Sequence, residues 1–160
     1  MLNSGQWRST AYFRHMRADD FPPITDDVRE VWSRFPSWDQ PTNMNLHMGL
    51  IVEDIRAGYA RLRMPLKPEI MQPAGIMHGG AIASLIDTAV VPAIGGVGVE
   101  PTRMVTISMN INYMGSISDE DAVCEGWITR QGRSIIFCSA EVTGANSGKV
   151  CATGTLVYKV

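Results

Sequence analysis

The chain of 160 residues is poor in charge and in cysteine, and both shortages exclude classes of protein. Charged residues make up 19% and the net charge is -2, so neither nucleic acid nor a membrane is expected as a partner, although a local basic patch could bind an anionic ligand. The cysteines, Cys124, Cys138 and Cys151, are odd in number and lie in strand-like segments. This favours reduced, buried thiols and predicts a cytoplasmic protein. None has a second cysteine at metal-ligand spacing, so no metal is expected.

The chain also lacks an unbroken apolar run long enough to cross a membrane. The longest run, about residues 81–99, is interrupted by Asp87, Pro92 and three glycines, which favours a buried core helix. The N-terminus mixes arginines and aspartates without an apolar stretch, and a signal peptide is not expected. An apolar content of 45% is that of a globular domain with a real core.

Residues 1–45 differ from the rest because they contain three of the four tryptophans, Trp7, Trp32 and Trp38. Within them, residues 25–35 predict a short helix with Thr25 as N-cap and Pro36 as its stop. We expect residues 1–45 to be an N-terminal extension that is helical and packed on the core, and residues 46–160 to be the main domain.

The remaining segments predict one long helix among strands. Residues 43–52 predict the start of an extended segment and residues 55–64 a strand, with Gly58 suited to a tight reversal. Residues 79–94 predict a helix that is apolar nearly all round. Four further strands are expected in a meander, at about 102–115, 121–131, 134–144 and 149–159. One helix can cover so curved an antiparallel sheet only if the sheet wraps around it.

Asp87 stands alone within this apolar helix. A carboxylate in such surroundings is costly unless it is paired, hydrogen-bonded or used in chemistry, and burial makes it more basic towards water. The alternative is a structural aspartate bonded to backbone or to Ser84. The helix begins at His78-Gly79-Gly80, where amide groups lack intrahelical partners and the helix dipole favours negative charge. A donor-rich turn followed by one buried acid indicates an active site.

The order of elements and one sequence motif resemble the hotdog-fold acyl-CoA thioesterases, the phenylacetate-degradation (PaaI-like) type above all. The motif is Gly75-Ile76-Met77-His78-Gly79-Gly80, with an acid nine residues after the histidine. The match runs from about His47 to Val160 and leaves residues 1–45 unexplained. The resemblance implies an α+β hotdog fold, in which an antiparallel sheet wraps around a long central helix, here with an N-terminal helical extension.

The resemblance also implies roles for individual residues. The acid at Asp87 would be general base or nucleophile, and the Gly79 and Gly80 amides would stabilise the oxyanion. Gln72 occupies the position where many members carry asparagine, one methylene shorter, and would hold water or the thioester oxygen. Thr106 matches a strand position whose hydroxyl helps to hold the attacking water.

His78 invites a Ser-His-Asp triad, but spacing argues against one. It lies about 13 Å from Asp87 at ~1.5 Å rise per residue. His78 would fix the turn, help to polarise the carbonyl, or act as a structural cap.

The family resemblance implies a CoA thioester as substrate and a second copy of the chain as partner. The turn Gly132-Arg133-Ser134 resembles the one near the CoA, with Arg103 and Arg130 as alternative phosphate ligands. A homodimer or homotetramer is implied, whose active sites lie between subunits, and no cofactor is implied.

Three functions remain open from the sequence. The first is hydrolysis of an acyl-CoA or aryl-CoA to the free acid and CoA. The second is a non-catalytic acyl-CoA-binding or regulatory module, which the Gln72 departure and the long N-terminal segment motivate. A dehydratase or hydratase ranks third, because the phenylalanine-proline lead-in of carrier-protein dehydratases is missing around His78.

Overall fold

The structure is a computed structural model that describes residues 17–160, and it contains three α-helices and six β-strands. The helices are α1 (Asp26–Trp32), α2 (Met44–Met48) and α3 (Gly79–Gly95). The strands are β1 (Ile51–Arg56), β2 (Tyr59–Met64), β3 (Val105–Tyr113), β4 (Ala122–Gln131), β5 (Ile135–Gly144) and β6 (Val150–Lys159). The part of the expected N-terminal extension before Arg17, including Trp7, lies outside the described residues.

The six strands form one antiparallel sheet in the order β1-β2-β4-β5-β6-β3, and α3 packs against its inner face. The predicted hotdog fold is confirmed. The expected simple meander of the last four strands is wrong, because only β4, β5 and β6 follow one another in the sheet. Strand β3 pairs with β6 instead and forms an edge of the sheet. This edge position becomes important for the site.

The expected extended segment at residues 43–52 is also wrong in its first half, where α2 forms. The Asn43 side chain accepts a hydrogen bond from the Leu46 amide at 2.9 Å and caps this short helix. Gly49, with φ 74°, ends it. The predicted reversal at Gly58 is confirmed, since β1 ends at Arg56 and Gly58 has φ 89°.

Helix α3 lies close to the sheet because a row of small residues crosses four neighbouring strands beneath it. This small-residue row consists of Ala60, Gly126, Ala140 and Gly154, which are paired in register. A Cβ atom on Gly126 would lie 2.9 Å from the backbone of Ala89, and one on Gly154 would lie 2.7 Å from Ile86. Larger side chains in this row would push the helix away.

Substituting Gly126→Ala should therefore destabilise the protein by about 1–3 kcal/mol, since the added methyl group meets helix backbone that cannot move aside. Chemical denaturation of the variant and the wild type measures this difference. Gly115→Ala is the matched control, because its Cβ would meet its nearest neighbours at an ordinary 3.5 Å. Equal stability of the two variants would contradict a tightly seated helix.

The N-terminal part of the described chain packs on the C-terminal end of α3. The predicted helix at residues 25–35 is confirmed but shorter, and its N-cap Thr25 makes no side-chain capping hydrogen bond. Trp32 is buried so close to Gly95 that a Cβ atom there would overlap the indole ring. Phe35 and Trp38 complete an aromatic cluster around Trp32.

The three cysteines are free and buried, as the sequence predicts. Burial raises the pKa of the Cys138 thiol to about 12, so it stays protonated and unreactive. Among residues 17–160, no helix has the length and apolar character to span a bilayer. The cytoplasmic location stays a prediction.

Candidate active site

Asp87 lies on α3 beside the inner face of β3 and β6, where two side chains donate hydrogen bonds to it. Thr106 Oγ1 lies 2.8 Å from Asp87 Oδ1, and the Tyr158 hydroxyl lies 2.6 Å from the same oxygen. The side chain is half-buried rather than fully buried. Ser84 does not contact it, because the Ser84 hydroxyl donates to the Gly80 carbonyl at 2.9 Å. The alternative of a Ser84–Asp87 hydrogen bond is therefore wrong.

Tyr158 was missed by the sequence analysis although it is the most deeply buried partner of Asp87. Its side chain is 2% exposed, and its hydroxyl also lies 2.8 Å from the Asp87 carbonyl oxygen. Burial, and then the hydrogen bond to Asp87, raise the pKa of the Tyr158 phenol, so it remains a neutral donor. The available signal was the alternation of β6, which turns Tyr158 inward, where a tyrosine hydroxyl needs an acceptor.

The glycine turn forms the N-terminus of α3 and is capped by its own histidine. His78 is the N-cap residue, and its Nδ1 accepts a hydrogen bond from the Gly80 amide at 2.8 Å. Both amides lack an intrahelical partner, as expected, but the Gly80 amide is bound by His78, which acts as the structural cap that was one of its expected roles. The Gly79 amide donates no hydrogen bond to any residue from 17 to 160. Tyr113, on β3, steadies the turn by donating its hydroxyl proton to the Gly79 carbonyl at 2.8 Å.

A cavity of about 380 Å³ opens beside this turn. Its lining is mostly apolar and includes the glycine turn. The lining residues include Gln72, Ile76, Met77, Gly79, Gly80 and Tyr113. The structure thus brings Gln72 and the glycine turn together at one cavity. An apolar cavity with few polar groups suits a small organic ligand.

Asp87 and Thr106 do not line this cavity. Eight residues of α3, about 12 Å at ~1.5 Å per residue, separate Gly79 from Asp87. The candidate site residues of one chain therefore fall into two separate groups. We name them the turn half-site, which consists of Gln72, His78, Gly79, Gly80 and Tyr113, and the acid half-site, which consists of Asp87, Thr106 and Tyr158. The separation also excludes a hydrogen-bonded triad of His78, Ser84 and Asp87 within one chain.

The turn Gly132-Arg133-Ser134 joins β4 to β5 at the same end of the sheet as the acid half-site. The Gly132 amide donates to the Ile135 carbonyl at 2.8 Å, and Ser134 accepts a hydrogen bond from the Val160 amide at 3.0 Å. All three residues of the turn are exposed. Four cationic residues at this end of the sheet make no ion pair to any described residue: Arg103, Arg130, Arg133 and Lys159.

A six-stranded antiparallel sheet wrapped around one long helix defines the hotdog class of α+β proteins. Solved structures of this class superpose on the chain. A conserved protein of Pseudomonas aeruginosa is 27% identical with a TM-score of 0.69, covering 78% of this chain and 98% of its own. The PaaI protein of the E. coli phenylacetic acid degradation operon, 16% identical, has a TM-score of 0.72 over 82% and 94% of the two chains, and it shares the fold.

Sequence comparison identifies the family. The profile of the thioesterase superfamily matches residues 74–151, which include the glycine turn and Asp87 but neither Gln72 nor Tyr158. Human acyl-coenzyme A thioesterase 13 is 31% identical over 138 residues, which are 82% of this chain and 92% of the human protein. The chain belongs to the thioesterase superfamily and is a thioester hydrolase. The resemblance found in the sequence is thus confirmed.

Proposed function

We propose that the protein hydrolyses an acyl-CoA or aryl-CoA thioester to the free acid and CoA, at a site assembled from two copies of the chain. The observation that carries this proposal is the placement of two complementary half-sites at opposite ends of one exposed edge strand. The human relative, whose name specifies acyl-coenzyme A thioesters, supports the choice of substrate class. The apolar lining of the cavity suits both alkyl and aryl groups.

The edge strand β3 supports the pairing of two copies. Its long side chains are unusually exposed for apolar residues: Val105 58%, Ile107 55%, Met109 41% and Tyr113 52%. Strand β3 has nine residues, and it pairs on one side only, with β6. A long apolar edge with unpaired backbone groups is a template for another strand. We infer that β3 pairs antiparallel with β3 of a second copy around a twofold axis.

This pairing would complete the site. Thr106 and Tyr113 are seven residues apart on β3, about 23 Å at ~3.3 Å per residue. In an antiparallel pair related by a twofold axis, the Tyr113 end of one strand lies beside the Thr106 end of the other. The acid half-site of one protomer would then face the turn half-site of its partner. The homodimer is thus the smallest catalytic unit, and two such dimers could form a tetramer.

The chemistry follows from this arrangement. The thioester carbonyl oxygen would point at the start of the partner's α3, where the Gly79 amide has no bond to a described residue. Asp87 would take a proton from water while the water oxygen attacks the carbonyl carbon, or its carboxylate would attack directly. Amide donors and the helix dipole would stabilise the oxyanion. After attack by water, collapse would break the carbon–sulfur bond and release the acid, and the CoA thiolate would take the proton from Asp87. After attack by the carboxylate, collapse would release the CoA thiolate and leave an anhydride on Asp87, which a water would then hydrolyse to the acid.

The remaining side chains have supporting roles in this proposal. Gln72 in the cavity would hold the thioester oxygen or the water. His78 would fix the turn, and the Gly80 amide would reach the oxyanion only if the imidazole gave up its hydrogen bond to it. Thr106 already donates its proton to Asp87, so a water could only donate to the Thr106 oxygen.

The cationic end of the sheet would bind the CoA phosphates. Arg133, with Gly132 and Ser134 in the same turn, lies at the end of the sheet that carries the acid half-site. Arg103, Arg130 and Lys159 lie at that end as well, and guanidinium groups suit phosphate oxygens. No cofactor is needed for this hydrolysis, since carboxylate, amides and water supply each step.

The shared site is tested by complementation between two inactive variants. Gly79→Pro removes the free amide proton while keeping the helix, because proline is favoured at the first helical position and the preceding His78 has an extended ψ of 133°. Asp87→Asn removes the base. The kcat of each variant homodimer should be lower by a factor of at least ~10². Co-expression makes half of the dimers mixed, each with one intact site, and should restore about a quarter of the wild-type activity.

Gly79→Ala is the control for the first variant, since it keeps the amide proton and its Cβ meets the Tyr113 ring at an ordinary 3.5 Å. It should keep most of the activity. If mass spectrometry confirms mixed dimers but their activity does not exceed that of the two homodimers, the shared site is contradicted.

A further inference from the structure

Tyr158 and Thr106 converge on the same carboxylate oxygen of Asp87, and this convergence distinguishes the two oxygens of the side chain. Thr106 donates to Oδ1 at 2.8 Å from β3, and Tyr158 donates to Oδ1 at 2.6 Å from β6. The other oxygen, Oδ2, accepts no hydrogen bond from the part of the chain that the structure describes. Two donors from two different strands fix both the position and the plane of the carboxylate.

The phenol proton is directed mainly to the carboxylate. A hydroxyl has one proton, yet the Tyr158 oxygen lies 2.6 Å from Asp87 Oδ1 and 2.8 Å from the Asp87 carbonyl oxygen. The shorter contact has the length of a charge-assisted O–H···O⁻ hydrogen bond, and the carbonyl is the weaker acceptor. The ring, 2% exposed, is held in the core by its neighbours on the sheet and cannot swing away.

We infer that Tyr158 is a positioning residue for the thioester hydrolysis: it holds Asp87 Oδ1 so that Oδ2 is the oxygen presented to water or to the thioester carbonyl. This inference rests on the proposed catalytic role of Asp87. It divides the carboxylate into an anchored oxygen and a reacting oxygen. Tyr158 itself is buried and so would touch neither water nor substrate.

The alternative is a structural role, in which the hydrogen bond to Asp87 merely satisfies the buried Tyr158 hydroxyl. The Tyr158→Phe variant distinguishes this structural role from a positioning role. The variant keeps the ring and removes the hydroxyl, so a structural role predicts normal turnover. A positioning role predicts a fall in kcat of about 10- to 100-fold with KM within about twofold, because misplacing a reacting group by even ~1 Å can cost ~10² in rate. Steady-state thiol release from a CoA thioester measures both constants.

Tyr59→Phe is the matched control. Tyr59 is 1% exposed, and its hydroxyl donates to a carboxylate as well, that of Glu125 at 2.8 Å, but it lies on β2 away from both half-sites. This variant should keep the wild-type kcat. Because the two tyrosines share burial and acceptor type, a fall in both variants would point to loss of folding and would overturn the inference.

A double-mutant cycle with Asp87→Asn asks whether Tyr158 acts through Asp87. If it does, Tyr158→Phe lowers the wild-type rate but not the residual rate of Asp87→Asn. An equal fall of the rate in both backgrounds would overturn the inference. A normal kcat for Tyr158→Phe, with Asp87→Asn inactive, would overturn it as well. The proposed function would survive either of these results. Near-normal turnover by Asp87→Asn would instead remove the proposed function. If Tyr158→Phe does not fold, Thr106→Val removes the second donor, and an unchanged kcat there would overturn the anchored oxygen.

Discussion

Asp87→Asn is expected to fold, to bind the CoA thioester and to lose hydrolysis, with kcat lower by about 10²–10⁴-fold. The amide has almost the same shape as the carboxylate and can still accept from Thr106 and Tyr158 through its oxygen. What it lacks is the negative charge that takes a proton from water or attacks the carbonyl carbon. Thiol release gives kcat, and isothermal titration of the inactive variant with the thioester gives the affinity.

Asp26→Asn is the control for this substitution. Asp26 lies on α1, its side chain is fully exposed, and it makes one ion pair to Arg29 at 3.8 Å. The same chemical change there should leave turnover and affinity unaltered. A loss of substrate binding in Asp87→Asn, with the control normal, would mean that Asp87 serves binding rather than chemistry.

Met109→Glu is expected to separate the dimer and to remove activity with it. Met109 is the central residue of β3, so a twofold axis at the middle of the strand would set the two glutamates of a dimer opposite each other. Like charges in such a contact cost several kcal/mol, which weakens dimerisation by more than ~10². Sedimentation velocity at micromolar concentration should find a dimer for the wild type and a monomer for the variant.

Met109→Leu, which keeps an apolar side chain of similar volume, should remain dimeric and active. Because the two half-sites of one chain do not meet, the specific activity of the glutamate variant should also rise with protein concentration. A wild-type protein that is monomeric and fully active would contradict the pairing through β3.

The sequence predicted the elements that depend on local pattern. Helix α3 was found because residues 79–94 are apolar nearly all round. A helix with such a surface must be surrounded by other structure, and a sheet wrapped around it does this. Helix α2 was missed because it has five residues and depends on the Asn43 cap rather than on periodicity. The edge position of β3 was missed because its pairing with β6 joins residues 39 to 54 positions apart in the chain, and the strands look alike in sequence.

The same difference between local and long-range features applies to the site. Asp87 and the glycine turn stood out because a lone acid and a cap are local features, and their catalytic roles stay predictions. Tyr158 is 71 residues from Asp87 along the chain, and only the folded sheet brings the two together. The hydrogen bond from the Gly80 amide to His78 depends on a side-chain rotamer that spacing does not specify.

The small-residue row has a consequence beyond stability, because it sets the height of the helix above the strands that carry Thr106 and Tyr158. Gly154 lies four residues before Tyr158 on β6, and the helix residue that covers it, Ile86, is the neighbour of Asp87. A methyl group there would lift that helical turn and lengthen two hydrogen bonds of 2.6 and 2.8 Å at once. The two glycines in the middle of the sheet, Gly126 and Gly154, thus help to set the position of Asp87. Enlarging either of them, although neither meets substrate, would lower the rate of hydrolysis by displacing the acid.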